Sequence, residues 1–290
     1  MLSTSTSFST AFSNTSLSFT GSPSSITIGR PNNTADITIS NSLTAAGPIT
    51  ITGGILTIGG VITSSNTGDV IFKSNLTNTA SSSSLFTNAQ ILKTGGQRSK
   101  VLMQCNGRLN FGSGAKIEAT NTIVDAVFWS DFDNSNNDGG TTVYGDIITN
   151  GGHVWLGGSN STGGSITWNG ITVGDGPSIG TSGSTNWNAI DLGSNITTSG
   201  GDIFIWSGSG HSSGISGIEV YNGDRNLNAG SGDVTIITNA GVRGAVLRVN
   251  TSGKIAIAPN ATSFSASTFN FNGTLSGLSL IHISEPTRPY

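Results

Sequence analysis

Charge is what this sequence has least of. Asp, Glu, Lys and Arg supply 9% of its 290 residues, against roughly a quarter in ordinary soluble domains. The formal net charge of −3 offers no basic face, and without one there is no electrostatic reason to bind nucleic acid. The densest basic stretch, "KTGGQRSKVLMQCNGR", holds Lys93, Arg98, Lys100 and Arg108, and reads as a solvated face rather than a phosphate patch. A single cysteine, Cys105, excludes an internal disulfide framework and a thiolate metal cluster. It lies in the apolar run "VLMQCN", which predicts a buried, unreactive thiol. No stretch reaches the ~18 apolar residues of a membrane-spanning helix, and "MLSTSTSFSTAFSNTSLSF" has neither the positive start nor the continuous apolar run of a secretory leader.

Scarcity of charge is not disorder, which combines high net charge with low hydrophobicity. Hydrophobic residues make up 34% of the chain, enough for a core. The 42 glycines, with abundant Ser, Thr and Asn, suit tight bends and penalise helix interiors, so almost no helix is expected.

What the sequence does hold is one short phrase many times: Gly, a polar residue, then apolar–x–apolar. It reads "GDVIF" (Gly68 to Phe72), "GHVWL" (Gly152 to Leu156), "GSITW" (Gly164 to Trp168), "GDIFI" (Gly201 to Ile205), "GDVTI" (Gly232 to Ile236) and "GKIAI" (Gly253 to Ile257). Period-two alternation marks strands with one buried face. Stacking the copies predicts two inward columns, Val154, Ile203, Val234, Ile255 and Leu156, Ile205, Ile236, Ile257. Between them runs an outward column of Trp155, Phe204, Thr235 and Ala256. Turn phrases precede several copies: "IITNGG", "NITTSGG" and "NLNAGSG". Strands this short cannot bury an apolar face alone; stacked coils share one core. The chain is therefore expected to be all-β, a parallel β-helix whose coils are of irregular length, about ten coils at roughly 20–30 residues each. A β-sandwich, with turns every 8–12 residues, fits the glycine-dense corners less well.

Candidate chemistry is sparse. In "FWSDFDNSNNDGG", Asp131, Asp133, Ser135 and Asn137 alternate and Asp138 follows, as oxygen ligands do around Ca²⁺. Asn136 stands where the loop's glycine would be and Thr142 where its bidentate glutamate would be. The segment reads first as an Asx turn, with weak calcium binding as the sharper alternative and no other cofactor. Glycoside hydrolysis needs two placed carboxylates, and no His or Arg accompanies Asp131 and Asp133 in sequence. "GSGHSSG" around His211 faintly resembles the Gly-His-Gly segment of β-helical pectin hydrolases, without the Asp-Asp and Arg-x-Lys that go with it there. His153 simply fills the polar slot after Gly152. The outward rings Trp155, Phe204 and Trp206 are the best binding hypothesis, since flat exposed aromatics stack on sugar faces; packing under a loop is the plainer reading.

The phrases "TTSGGDIFIWSGSG", "NAGSGDVTIITNAG" and "DIITNGGHVWLGGSNSTGGSITWNGITVGDG" resemble the repeat regions of very large bacterial surface proteins of the filamentous-haemagglutinin type, across roughly Ile91 to Pro259. The resemblance implies a right-handed parallel β-helix, a cell-surface or extracellular location associated with the outer membrane, and a non-catalytic part in adhesion. It also implies outer-membrane secretion machinery as a partner, along with host or environmental surfaces and their glycans. The last residues, "LSLIHISEPTRPY", look like the translation of a transposase adapter used in sequencing libraries. Residues 278–290 are accordingly expected to be extraneous, residues 26–277 to be a β-helical repeat region cut from a longer protein, and residues 1–25 to be a Ser/Thr-rich start or partial coil. The alternative from another class is a piece of a β-helical polysaccharide-degrading enzyme, its catalytic residues elsewhere.

Overall fold

The computed structural model describes residues 11–14, 21–75, 83–134, 139–180, 188–208, 217–238, 241–259 and 269–275. Among the described residues there is no helix, and every pairing of strands but one is parallel. His211 and the 278–290 tail lie outside the described residues.

The chain winds around three faces in turn. Ile49–Gly53, Leu56–Ile58 and Val61–Ser64 make one coil, one strand per face, and each stacks on its counterpart in the coils before and after. On the first face the register runs without slip through Ile26, Ile49, Val70, Val101, Ala126, Val154, Ile203, Val234 and Ile255. All of these side chains are buried. Two residues on, Ile28, Ile51, Phe72, Met103, Phe128, Leu156, Ile205, Ile236 and Ile257 form a second buried column. Both inward columns read from the repeat are thus present. The second face is a sheet of nine parallel strands. At about 4.8 Å per coil, the first-face ladder gives a rod roughly 40 Å long. This is a parallel β-helix, and its parallel ladders exclude the sandwich.

One core fills the interior. Its middle coils are stapled by rings from the first and second faces: Phe72 to Phe86 (5.1 Å between centroids), Phe86 to Phe111 (6.5 Å) and Phe111 to Phe128 (5.4 Å). Cys105 is buried beside them, Sγ against the Arg108 carbonyl at 3.3 Å. Burial pushes its thiol up from the usual range, beyond what the neighbouring serine and backbone contacts offset, which keeps it unreactive.

The corners explain the turn phrases. Asn150 (φ 53°) and Ser199 (φ 57°) take left-handed conformations at equivalent positions, with Gly151 and Gly200 next to them also at positive φ. Thr149 closes its turn by donating Oγ1–H to the Gly152 carbonyl at 2.6 Å, and Thr198 does the same to Gly201. The glycine that opens each motif serves a different need, close stacking. A Cβ on Gly201 would lie 2.0 Å from the Gly152 carbonyl oxygen, and one on Gly232 would lie 2.2 Å from that of Gly201.

One copy of the phrase departs from the pattern. "GSITW" was expected to be a coil strand, but Ser165–Trp168 pairs antiparallel with Ile171–Gly174 across a two-residue turn. Asn169 (φ 47°) and Gly170 (φ 76°) are both left-handed, the turn that matches strand twist and favours Asn-Gly. The hairpin is an insertion in the coil between Val154 and Ile203, not a coil of its own.

Candidate functional site

The polar slot of the motif is a hydrogen-bonded ladder. Just before each inward column residue stand Asp69, Lys100, Asp125, His153, Asp202, Asp233 and Lys254. Where the slot holds Asp or His, that side chain accepts the backbone N–H of the slot residue one coil later. Lys100 N–H donates to Asp69 (2.8 Å), His153 to Asp125 (2.8 Å), Asp202 to Nδ1 of His153 (2.8 Å), Asp233 to Asp202 (2.7 Å) and Lys254 to Asp233 (2.8 Å). A short acceptor in the slot is therefore what bridges to the next coil, and His153 meets the need only with Nδ1 unprotonated. Its pKa is held below the ordinary histidine value, first by burial and then by Arg98, against the opposing pull of Asp125 and Asp202. The unfolded chain thus takes up a proton before the folded one does. The stability contributed by neutral His153 is complete above the ordinary value near 6.5 and lost as pH falls towards the lowered folded value. Melting temperatures measured between pH 7 and pH 5 should fall more steeply for the native chain than for His153→Asn, whose Oδ1 accepts the same N–H at either pH.

The aromatic column faces outward as its alternation requires, with Trp155 in register with Phe204 and Phe204 with Thr235. It does not meet solvent as a sugar platform would. Trp155 is 1% exposed, in a second apolar cluster with Leu102, Val127, Trp129, Ile171 and Val173. The cover is the inserted hairpin, whose Ile171 and Val173 close over the outer face of the first ladder. Asn169 at its tip donates to Asp202 (2.6 Å), while Trp168 packs edge-on against His153 and Phe204. Phe204 and Trp206 stay half-buried, edge to face with one another at 6.1 Å and 69°. Trp155 is thus packed under the hairpin, as the loop-cover reading has it, and presents no open ring face to a saccharide.

Of the oxygen-ligand segment, Ser135, Asn137 and Asp138 lie outside the described residues. Asp131 is wholly buried with left-handed backbone (φ 51°), its N–H on the Gly107 carbonyl at 3.3 Å, and its own carbonyl accepts from Asn134. The Asp133 carbonyl accepts from Thr162 at 2.8 Å. These bonds are those of a turn docked between the coils before and after it. No group of three or more His, Cys, Asp or Glu suited to a metal ion occurs among the described residues.

The basic stretch does not form one patch: Arg98 is exposed, Lys100 half-buried, and Lys93 and Arg108 are buried. Lys93 is buried, bonded to Ser64 Oγ at 2.9 Å and to the Asn66 carbonyl. Arg98 pairs with Asp125 (2.6 Å), Lys100 with Asp69 (3.9 Å) and Arg108 with Asp191 (3.1 Å). Lys93 and Arg108 lie on different faces, while Arg98 and Lys100 both pair with carboxylates of the slot ladder. The Arg108 pair opens a charged cluster on the second face, where Thr142, Asp191, Glu219 and Arg243 are stacked in register. Asn188 bridges Asp191 (2.7 Å) and Glu219, and Arg243 pairs with Glu219 at 3.1 Å. Burial raises Asp191 above the usual carboxylate range despite Asn188 and Arg108, a property shared with catalytic acids. Asp191 is, however, 4% exposed and already bonded to Arg108 and Asn188, which suits a structural network better than a substrate.

A groove that was not anticipated from the sequence opens at the corner between the second and third faces. It has a volume of about 260 Å³ and is lined by Gln90, Lys116, Tyr144, Asp146, Asn195 and Arg225, with small residues between them. Gln90, Lys116 and Asp146 stand in register at the starts of successive third-face strands, and Asn195 directly precedes the next. Tyr144 lies over Gly193, where any Cβ would strike its ring, and stacks nearly parallel on Tyr221, 5.4 Å between centroids and 12° between planes. The signal in the sequence is the recurrence of Val-Tyr before Gly-Asp in "VYGD" and "VYNGD".

The fold and these clusters define a parallel β-helical solenoid with a locally padded wall. No family model, curated protein or solved structure matches the chain.

Proposed function

We propose that this chain is a stiff, non-catalytic stalk and display segment of a large secreted or cell-surface bacterial adhesin. The observation that supports it best is the register that holds from Ile26 to Ile255 on one face. Such stacking turns residues into length, pairs nearly every strand edge with the next coil, and carries insertions on the outside. Its partners on this reading are host or environmental surfaces, including their glycans, and the outer-membrane machinery that would export it. A second reading, a β-helical polysaccharide-degrading enzyme, draws on the stacked Asp191 and Glu219 carboxylates. The burial of Asp191 weighs against it.

A long sequencing read across the locus distinguishes these. The adhesin reading expects an uninterrupted frame with an export leader upstream and more glycine-rich coils downstream. A frame that closes without either, or one that continues into coils dense in Asp, His and Arg, overturns it.

A further inference from the structure

The corner groove, rather than the tryptophan column, has the features of a ligand site. Its wall is aromatic: Tyr144, backed by Tyr221, which is 43% exposed. Burial and the nearby Asp191 push the Tyr144 hydroxyl up to about 12, so it stays protonated and can both donate and accept. The polar groups around it are partly committed in ways that fix their positions. Arg225 is clamped by bonds from Nε and Nη2 to the Tyr221 and Asn222 carbonyls. Those bonds leave Nη1 free to donate. Asn195 Oδ1 accepts from the backbone N–H of Asn226 at 2.9 Å, which turns its Nδ2 into the available donor. Gln90 is held by the Gly114 carbonyl (2.6 Å) and Lys116 by Glu118 (2.9 Å). Asp146 is exposed, and its carboxylate has no hydrogen-bond or ion-pair partner among the described residues.

We infer that this groove binds a neutral pyranose unit of a glycan, with the ring against the tyrosines and adjacent hydroxyls shared between Asp146, Asn195 and Arg225. The chemistry discriminates. Vicinal hydroxyls donate and accept at once, which matches a carboxylate set beside fixed N–H donors. The cations do not make it an anion site, because Lys116 is neutralised by Glu118 and Asp146 would repel a carboxylated or sulfated sugar. A flat ring with one apolar face suits a stacked tyrosine pair. The inference rests on the surface-display reading and gives it a partner class and a place of contact.

The test is calorimetric titration of the full chain with neutral cello-, xylo-, manno- and malto-oligosaccharides and, separately, with oligogalacturonate. Variants Tyr221→Ser, Asp146→Ala and Trp206→Ala are carried in parallel. The expected result is saturable binding of at least one neutral oligosaccharide, weakened about tenfold or more by Tyr221→Ser and by Asp146→Ala and unchanged by Trp206→Ala. Tyr221 and Asp146 are exposed, so melting temperatures should stay at the native value and separate lost contact from lost folding. Absence of binding by every neutral oligosaccharide overturns the inference. So does binding of oligogalacturonate alone, or binding that only Trp206→Ala removes. These results stand apart from the sequencing read: a closed frame with sugar binding intact removes the adhesin and leaves the site, and the converse removes only the site.

Discussion

Gly201→Ala should destabilise the rod by on the order of 3 kcal/mol, at the upper end of what overpacking costs. That corresponds to a melting temperature lower by roughly 10 °C for a domain of this size. The alanine methyl would sit 2.0 Å from the carbonyl oxygen of Gly152 and 2.3 Å from its carbon. Both belong to backbone, so no rotamer change can relieve the contact. The coil must lift away, and lifting it breaks the stack on both sides: the bond from Asp202 N–H to His153 below and that from Asp233 N–H to Asp202 above. Gly59→Ala is the control. Gly59 has no left-handed φ, is exposed, and its nearest atom to an added Cβ is the Thr87 carbonyl oxygen at 3.5 Å. There the substitution should be neutral or slightly stabilising, since it restricts the unfolded chain. Thermal unfolding of the two variants separates close stacking from glycine content as such; equal melting temperatures would refute the stacking account.

Asp191→Ala should be similarly damaging, about 3 to 5 kcal/mol, for an electrostatic reason. It strips the carboxylate from Arg108, a guanidinium that is 7% exposed and also donates to Thr142. Burial lowers Arg108 and raises Asp191, in each case ahead of their mutual attraction. Both directions say that the pair is held in place against desolvation and is not itself a source of stability. The double variant Arg108→Leu with Asp191→Leu should therefore recover most of the loss. Denaturant midpoints for the single and double variants close the cycle, and a double variant as unstable as Asp191→Ala would show that the site needs its charges.

Much of this architecture could be read from single residues. Gly-polar-apolar-x-apolar set the first face, because one inward column needs Val or Ile at every copy and the close stack below it needs glycine. The second face was less visible. Ile190–Leu192 and Thr141–Val143 span three residues each, too short to display a repeat period, and Ile190 has no glycine or aspartate marker just before it. Alternation also misled. Ser165–Trp168 carries the same period as a coil strand, and only Asn169-Gly170 just beyond it signals a hairpin. That misreading left the cover over Trp155 as an unplaced loop, because a repeat period reports which way a side chain points and not which insertion lies upon it. The groove was hidden for a related reason: Gln90 and Arg225 are far apart in the chain, and only the stacking of corners from several coils brings them to one opening.

The slot ladder has a further consequence when its sequence spacings are compared. From His153 to Asp202 the chain spends 49 residues, and from Asp233 to Lys254 it spends 21, yet each step is bridged by the same single hydrogen bond of 2.8 Å. The rod is thus a ruler graduated in coils: extra residues thicken it and leave its reach unchanged. Enlarging a loop on one coil would alter what the surface presents at that height without shifting the height of any feature above it.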